Sequence, residues 1–192
     1  MAVTAVVFDV GETLVDETRN WEAVADAWGV PRFTLMALVG YAIARGESHR
    51  KVREWLDVDV PPVEESHDEL YPDAEPCLRR CRDAGLVVGA VGNMGIVHEE
   101  GIPAFVDFVA SSERWGVEKP SRAFFERAVA ETGRPANEVA YVGDLVHNDI
   151  EPALAAGLHA VHIRRGPWGY VQEPPPEAIR IRSLDELPEA LP

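Results

Sequence analysis

Asp9, Asn93, Lys119, Asp144 and Asp149 all follow short apolar, strand-like runs in this sequence. Strand ends of that kind lie side by side in a parallel sheet, so these side chains are predicted to gather along one edge, in the crevice where open α/β sheets bind ligands. The run Val6-Val7-Phe8 stops on Asp9 and the turn-forming Gly11 follows, so Asp9 reads as the centre of an active site. The carboxylates of Asp9 and Asp144 suit a hard cation such as magnesium, which prefers oxygen ligands and leaves positions for substrate oxygens. Lys119 adds a point charge that draws in a substrate anion and keeps neighbouring carboxylates ionised. A plainer reading stands beside this one. Asp9 would then cap a turn, while Asp144, Asn148 and Asp149 would serve a helix N-terminus.

The elements that must position these residues follow from the apolar pattern. Val3 to Phe8 is short, rich in β-branched residues and continuous enough to be a strand buried on both faces. Residues 16–74 read as an inserted, all-helical cap on a core made of 1–15 and 75–192. Within the cap, Asn20 is expected to start a helix from Trp21 to Trp28, ended by Gly29 and Pro31. Further helices fit Phe33 to Arg45 and Ser48 to Leu56, with Pro61-Pro62 and Tyr71-Pro72 on the return. Helix and strand then alternate, which predicts a parallel α/β sheet covered on both faces. A helix from Ala74 to Ala84 stops at Gly85. Strands follow at Leu86 to Val91, Phe105 to Ala110, Val139 to Val142 and Leu158 to Ile163. Helices are expected at Ser121 to Thr132 and from Asn148 to Gly157, and Ser183 to Glu186 makes a capping box for a last short helix.

At 192 residues and 46% hydrophobic content the chain can bury a sizeable core. A net charge of −15 leaves no basic surplus, which argues against nucleic acid and against an anionic membrane as partners. A small anionic substrate would have to be neutralised locally, and Lys51 and Lys119 are the only lysines. No basic leader or membrane-length apolar run is visible, which predicts a cytoplasmic protein. Cys77 and Cys81 share a helix face without further zinc ligands nearby, and read as buried thiols. Nothing in the sequence specifies an oligomeric state.

In the order and spacing of its polar residues the chain resembles the haloacid dehalogenase superfamily over nearly its whole length. Asp9-Val10-Gly11-Glu12-Thr13 matches the first motif, Gly92-Asn93 stands at the second, Lys119-Pro120 at the third, and Gly143-Asp144 through Asp149 at the acidic fourth. The resemblance implies a Rossmann-like sheet with Asp9 as a nucleophile forming an acyl intermediate. It also implies magnesium held by Asp9, the Gly11 carbonyl and the acidic pair Asp144 and Asp149. Two departures bear on function. In the family's phosphatases a second aspartate, here Gly11, protonates the leaving group and later activates water. Loss of a positioned acid typically costs ~10²–10⁴ in rate. Gly92 lacks a phosphoryl-binding hydroxyl, although its backbone N–H and that of Asn93 remain donors.

The resemblance therefore implies a magnesium-dependent phosphatase acting on a small phosphorylated metabolite, with Glu12 the nearest replacement acid and Gly11→Asp expected to restore the missing carboxyl. A phosphonatase using Lys51 as its Schiff-base amine is an alternative, set against a basic, solvated reading of the helix around it. A catalytically weak phosphate-binding or interaction protein is another. His98 and His147 are further acids that loops could bring near the site. Trp21, Trp28, Tyr41 and Trp55 are expected in the cap core, and Arg164, Arg165 and Trp168 at the pocket rim.

Overall fold

The computed structural model describes residues 2–57 and 69–192; Pro61-Pro62, expected on the return from the cap, lies outside them. β1 (Ala5–Phe8) is the centre of the molecule, and its residues are wholly buried. β2 (Val15–Asp16) and β3 (Glu69–Leu70) form a separate antiparallel ribbon at the base of the insertion. β4 (Val87–Gly92), β5 (Phe108–Ser111), β6 (Val139–Gly143), β7 (His159–Ile163) and β8 (Ile179–Ile181) complete a parallel sheet of order β5-β4-β1-β6-β7-β8.

Side chains alternate across a strand, so β1 feeds both cores. Val6 and Phe8 pack with Cys77, Leu78 and Cys81 of the helix Ala74–Asp83 on one face, while Ala5 and Val7 pack with Phe124, Phe125 and Ala128 on the other. Both cysteines are free and buried, as their helical spacing predicted. Phe8 is in register with Ala90 of β4 and Val142 of β6, which brings three strand ends level. The chain adds strands to one side of β1 and then to the other, so a crevice opens beside β1 at its carboxyl end.

The insertion is helical: α1 (Thr18–Ala27), α2 (Arg32–Ala44) and α3 (Lys51–Leu56). Its core of Ala25, Leu35, Val39, Ala42, Ile43 and Val52 closes around Trp168, which comes from the far end of the chain. α1 begins at Thr18, ahead of the expected Asn20 cap, because Asp16 accepts the Thr18 N–H (2.9 Å) and supplies a capping acceptor earlier. α3 begins at Lys51 because Ser48 Oγ accepts the Arg50 N–H (3.2 Å) in a local turn. Tyr41 and Trp55 are exposed and pack on each other at 5.8 Å between ring centroids, outside the cap core where they were expected. β8 and a short helix, Gly166–Val171, were not foreseen, being too short for an apolar period to register. Among the described residues no single helix is long and apolar enough to cross a membrane.

Candidate active site

Asp9 leaves β1 with its N–H donating to the Val142 carbonyl (2.8 Å), and its side chain is nearly buried at the floor of the crevice. The chain then folds back tightly, Leu14 and Val15 both donating to the Val10 carbonyl at 2.9 Å. Glu12 sits in this turn with a left-handed φ of 53°, a conformation that a non-glycine residue adopts at some cost.

Lys119 reaches in from the loop before helix Arg122–Thr132. Its Nζ lies 2.5 Å from Asp9 Oδ1 and 2.7 Å from Asp149 Oδ1, all but excluded from solvent. The Asn93 side chain accepts the Lys119 N–H (2.8 Å) and donates to the Lys119 carbonyl (2.9 Å). Its amide thus fixes the lysine loop, and Asn93 keeps its place at the cavity wall. Asp149 accepts three hydrogen bonds: Lys119 and the Tyr141 hydroxyl (3.3 Å) share Oδ1, and the Leu145 N–H (3.0 Å) takes Oδ2. A Cβ on Gly143 would stand 2.5 Å from that of Asp149, so only glycine lets the wide π-type turn Val146–Ile150 close on β6. Asp144 differs from its neighbours. It is 1% exposed, and neither carboxylate oxygen has a hydrogen-bond partner among the described residues. The buried His162 ring nitrogen lies 3.0 Å from the Asp144 carbonyl and steadies the backbone there.

The electrostatics follow from this crowding. Burial, then the charge of Asp149, pushes the Asp9 carboxyl up to about 7 against the pull of Lys119. Burial and Asp149 likewise hold Asp144 well above the usual carboxylate range. Burial opposes the Lys119 charge, but Asp149 and Asp9 outweigh it and hold its pKa well above the usual value. One ammonium does not offset three buried carboxyl groups, so their full ionisation calls for a further cation. One oxygen each from Asp9, Asp144 and Asp149 lies within 4.8 Å of the others, close enough to share an ion. Two buried carboxylate oxygens with no partner among the described residues fit a hard divalent cation, which would supply the missing compensation.

Above this floor lies a cavity of about 1060 Å³, walled by Asp9, Lys119 and Asp144 below and by Trp21, His49 and Arg50 of the cap above. Gly92, His98, His147 and Trp168 also line it. His147 is engaged with Glu151 at 2.9 Å. Glu12 takes a different place from the one expected of a replacement acid. It is 2% exposed and absent from the cavity wall, with Oε2 accepting the Tyr71 hydroxyl (2.6 Å) and Oε1 the Glu17 N–H (3.1 Å). Lys51 is also away from the cavity, half exposed and 3.5 Å from Glu47. Arg165 is no rim residue either: it bonds Asp73 and the Thr13 carbonyl (2.9 Å) and covers the Tyr71 ring. Arg164 is exposed over Tyr170.

Sequence reasoning missed Tyr141, His49, Arg50 and Glu17. Tyr141 is two residues before Gly143 on a central strand, where a buried hydroxyl demands a partner; that was a usable signal. Glu17 offered none. Its carboxylate fills the space beside Gly11, where a Cβ would meet Oε1 at 2.6 Å, Cδ at 2.9 Å and Oε2 at 3.3 Å. Gly11→Asp in the native chain would therefore require the Glu17 carboxylate to move aside rather than fill a gap.

The sheet order, the switch-point crevice and the lysine set between carboxylates define a Rossmann-like α/β protein with an acidic centre at the end of its first strand. The chain belongs to the haloacid dehalogenase-like hydrolase family, whose model matches residues 3–157. It is 36% identical over 125 residues to a glyceraldehyde 3-phosphate phosphatase of Methanopyrus kandleri, covering 62% of this chain and 50% of that protein. It is 33% identical over 129 residues to haloacid dehalogenase-like hydrolase domain-containing protein 3 of Danio rerio, covering 64% and 53%. The chain thus spans about half the length of these curated relatives. The crystal structure of a phosphatase of the family from Thermococcus onnurineus superposes with a TM-score of 0.67 at 21% identity, over 97% of both chains, a likeness of fold.

Proposed function

We propose that this chain is a magnesium-dependent phosphatase that hydrolyses a small phosphorylated metabolite through an aspartyl-phosphate formed on Asp9. The observation that carries the proposal is Asp144, buried beside Asp9 and Lys119 with neither carboxylate oxygen hydrogen-bonded among the described residues. Asp9 and Asp144, with Asp149 behind them, would hold the cation. When bound, magnesium neutralises the crowded carboxylates and polarises the phosphoryl oxygens. Asp9 attacks phosphorus. Lys119 orients that carboxylate and offsets the charge of the incoming phosphate. The backbone N–H groups at Gly92 and Asn93 donate to the phosphoryl oxygens, and Arg50 and His49 meet the rest of the substrate from the cap. The cavity volume suits a small molecule, and a relative named for a triose phosphate substrate supports the same class. The phosphonatase alternative draws no support from Lys51, which stands outside the cavity.

A panel of phosphate esters assayed with and without magnesium tests the reading. Asp9→Asn should abolish turnover while the circular dichroism spectrum stays native. Calorimetry should register magnesium binding in the native chain and much weaker binding in Asp144→Asn. Undiminished turnover in Asp9→Asn, or equal magnesium binding by both chains, would overturn it.

A further inference from the structure

We propose that Glu17 is the general acid and base of this site, supplying from the start of the cap the carboxyl that Gly11 lacks. This assignment rests on the phosphatase reading. The nearest atoms to a Cβ built on Gly11 all belong to the Glu17 carboxylate, with Oε1 first at 2.6 Å. That is about as far as an aspartate's carboxylate oxygen lies from its own Cβ. Glu17 therefore brings an oxygen as close to position 11 as an aspartate's own carboxylate would lie to its Cβ. It does so in the wall of the cavity that Asp9 and Trp21 also line.

The carboxylate is aimed by its surroundings. The Trp21 indole N–H, one helical turn on, donates to Glu17 Oε2 (3.4 Å), and Oε1 is the carboxylate atom nearest Gly11. The Glu17 backbone N–H is held by Glu12 Oε1, and the other Glu12 oxygen is held by Tyr71. Glu12 is therefore a positioning residue, and the departures at Gly11 and Glu12 become parts of one arrangement. Gly11 makes room, Glu12 anchors the backbone, and Glu17 provides the acid. Neither His98 nor His147 is among the atoms nearest to that position.

The chemistry balances. As Asp9 attacks phosphorus, the bond from phosphorus to the ester oxygen breaks. That oxygen takes the proton of the Glu17 carboxyl and leaves as the alcohol. The Glu17 carboxylate then removes a proton from water, the water oxygen attacks phosphorus, and the bond to Asp9 breaks. Inorganic phosphate leaves, and both side chains return to their starting states.

The test compares p-nitrophenyl phosphate, whose phenolate leaves without a proton, with glycerol 1-phosphate, whose alkoxide needs one. In Glu17→Gln, turnover of glycerol 1-phosphate should fall ~10²–10⁴-fold. With p-nitrophenyl phosphate the same variant should release one equivalent of phenolate per site in a burst and then stall, because the second step lacks its base. Glu17→Ala vacates the space beside Gly11, so Gly11→Asp added to it should recover activity that Glu17→Ala alone lacks. A Glu17→Gln enzyme that keeps native turnover of glycerol 1-phosphate, or that slows equally on both esters without a burst, overturns the assignment while the phosphatase reading stands. A native enzyme that cleaves neither ester and takes up no phosphoryl group on Asp9 overturns both.

Discussion

The family pattern is broken at Gly92 in a different way from Gly11. A Cβ at Gly92 would meet nothing nearer than 3.4 Å, the closest atoms being Met94 Sδ and Val10 Cβ, so a side chain can begin there without displacing its neighbours. Gly92 lines the cavity at the end of β4, two residues beyond Ala90, the register partner of Phe8. A hydroxyl there would donate to a bound phosphoryl oxygen, and a hydrogen bond to a charged acceptor is worth about 1.5–3 kcal/mol. Gly92→Ser should therefore lower KM for p-nitrophenyl phosphate about tenfold or more, with little change in kcat if the bond forms equally in ground and transition states. A KM that does not fall would mean that the phosphoryl group sits away from residue 92.

At the scale of the elements, one clamp ties the entry and exit of the cap to the far edge of the sheet. Asp73, just ahead of the helix Ala74–Asp83, accepts from Arg165, from Ser183 Oγ (2.8 Å) and from the Leu184 N–H (3.0 Å). Arg165 also donates to the Thr13 carbonyl and lies 4.1 Å over the Tyr71 ring, and Tyr71 in turn holds Glu12. Burial pushes the Asp73 carboxyl up, but the bonds from Arg165, Ser183 and Leu184 prevail and hold it below its ordinary value of 3.8. A carboxyl depressed by folding stabilises the folded state above its unfolded pKa, and that stability is lost as pH falls through the folded value. Asp73→Asn should cost about 2 kcal/mol near neutral pH, as expected for charge-assisted bonds. In urea unfolding the gap between native and variant chains should hold down to about pH 4 and narrow below it. A gap of constant size down to pH 2 would mean that the charge on Asp73 contributes nothing.

Across the whole molecule, the cap meets the core through Trp168. This side chain is 5% exposed, sits edge-on to Trp21 at 5.7 Å and stacks with His49 at 6.4 Å between ring centroids. Trp168 also lines the cavity, so one residue contributes both to cap docking and to cavity shape. Replacing a buried tryptophan by alanine typically costs ~3–5 kcal/mol. In Trp168→Ala, hydrogen exchange should accelerate through α1, α2 and α3 while β1, β4 and β6 keep their protection, and KM should rise. Equal loss of protection in cap and sheet would show that the two open as one unit.

The parallel sheet, the helical insertion and the gathering of Asp9, Lys119, Asp144 and Asp149 were legible in the sequence because their determinants are local. A short buried run bounded by glycine or a carboxylate is a strand and its end whatever else the chain does, and a parallel sheet then brings such ends together. The contacts that decide the chemistry are of another kind. Asn93 gives its amide to the Lys119 backbone, the Asp144 carboxylate has no hydrogen-bond partner among the described residues, and Lys51 falls outside the cavity. Trp168 reaches the cap from the other end of the chain. Glu17 meets Gly11 because the intervening turn folds back on itself and Glu12, pinned by Tyr71, holds the start of α1 in place. Apolar period and residue propensity say which element a residue occupies, but a side-chain contact depends on how separate elements close on one another. Only the tertiary structure sets that closure, because it is the packing of distant residues that determines where each side chain ends.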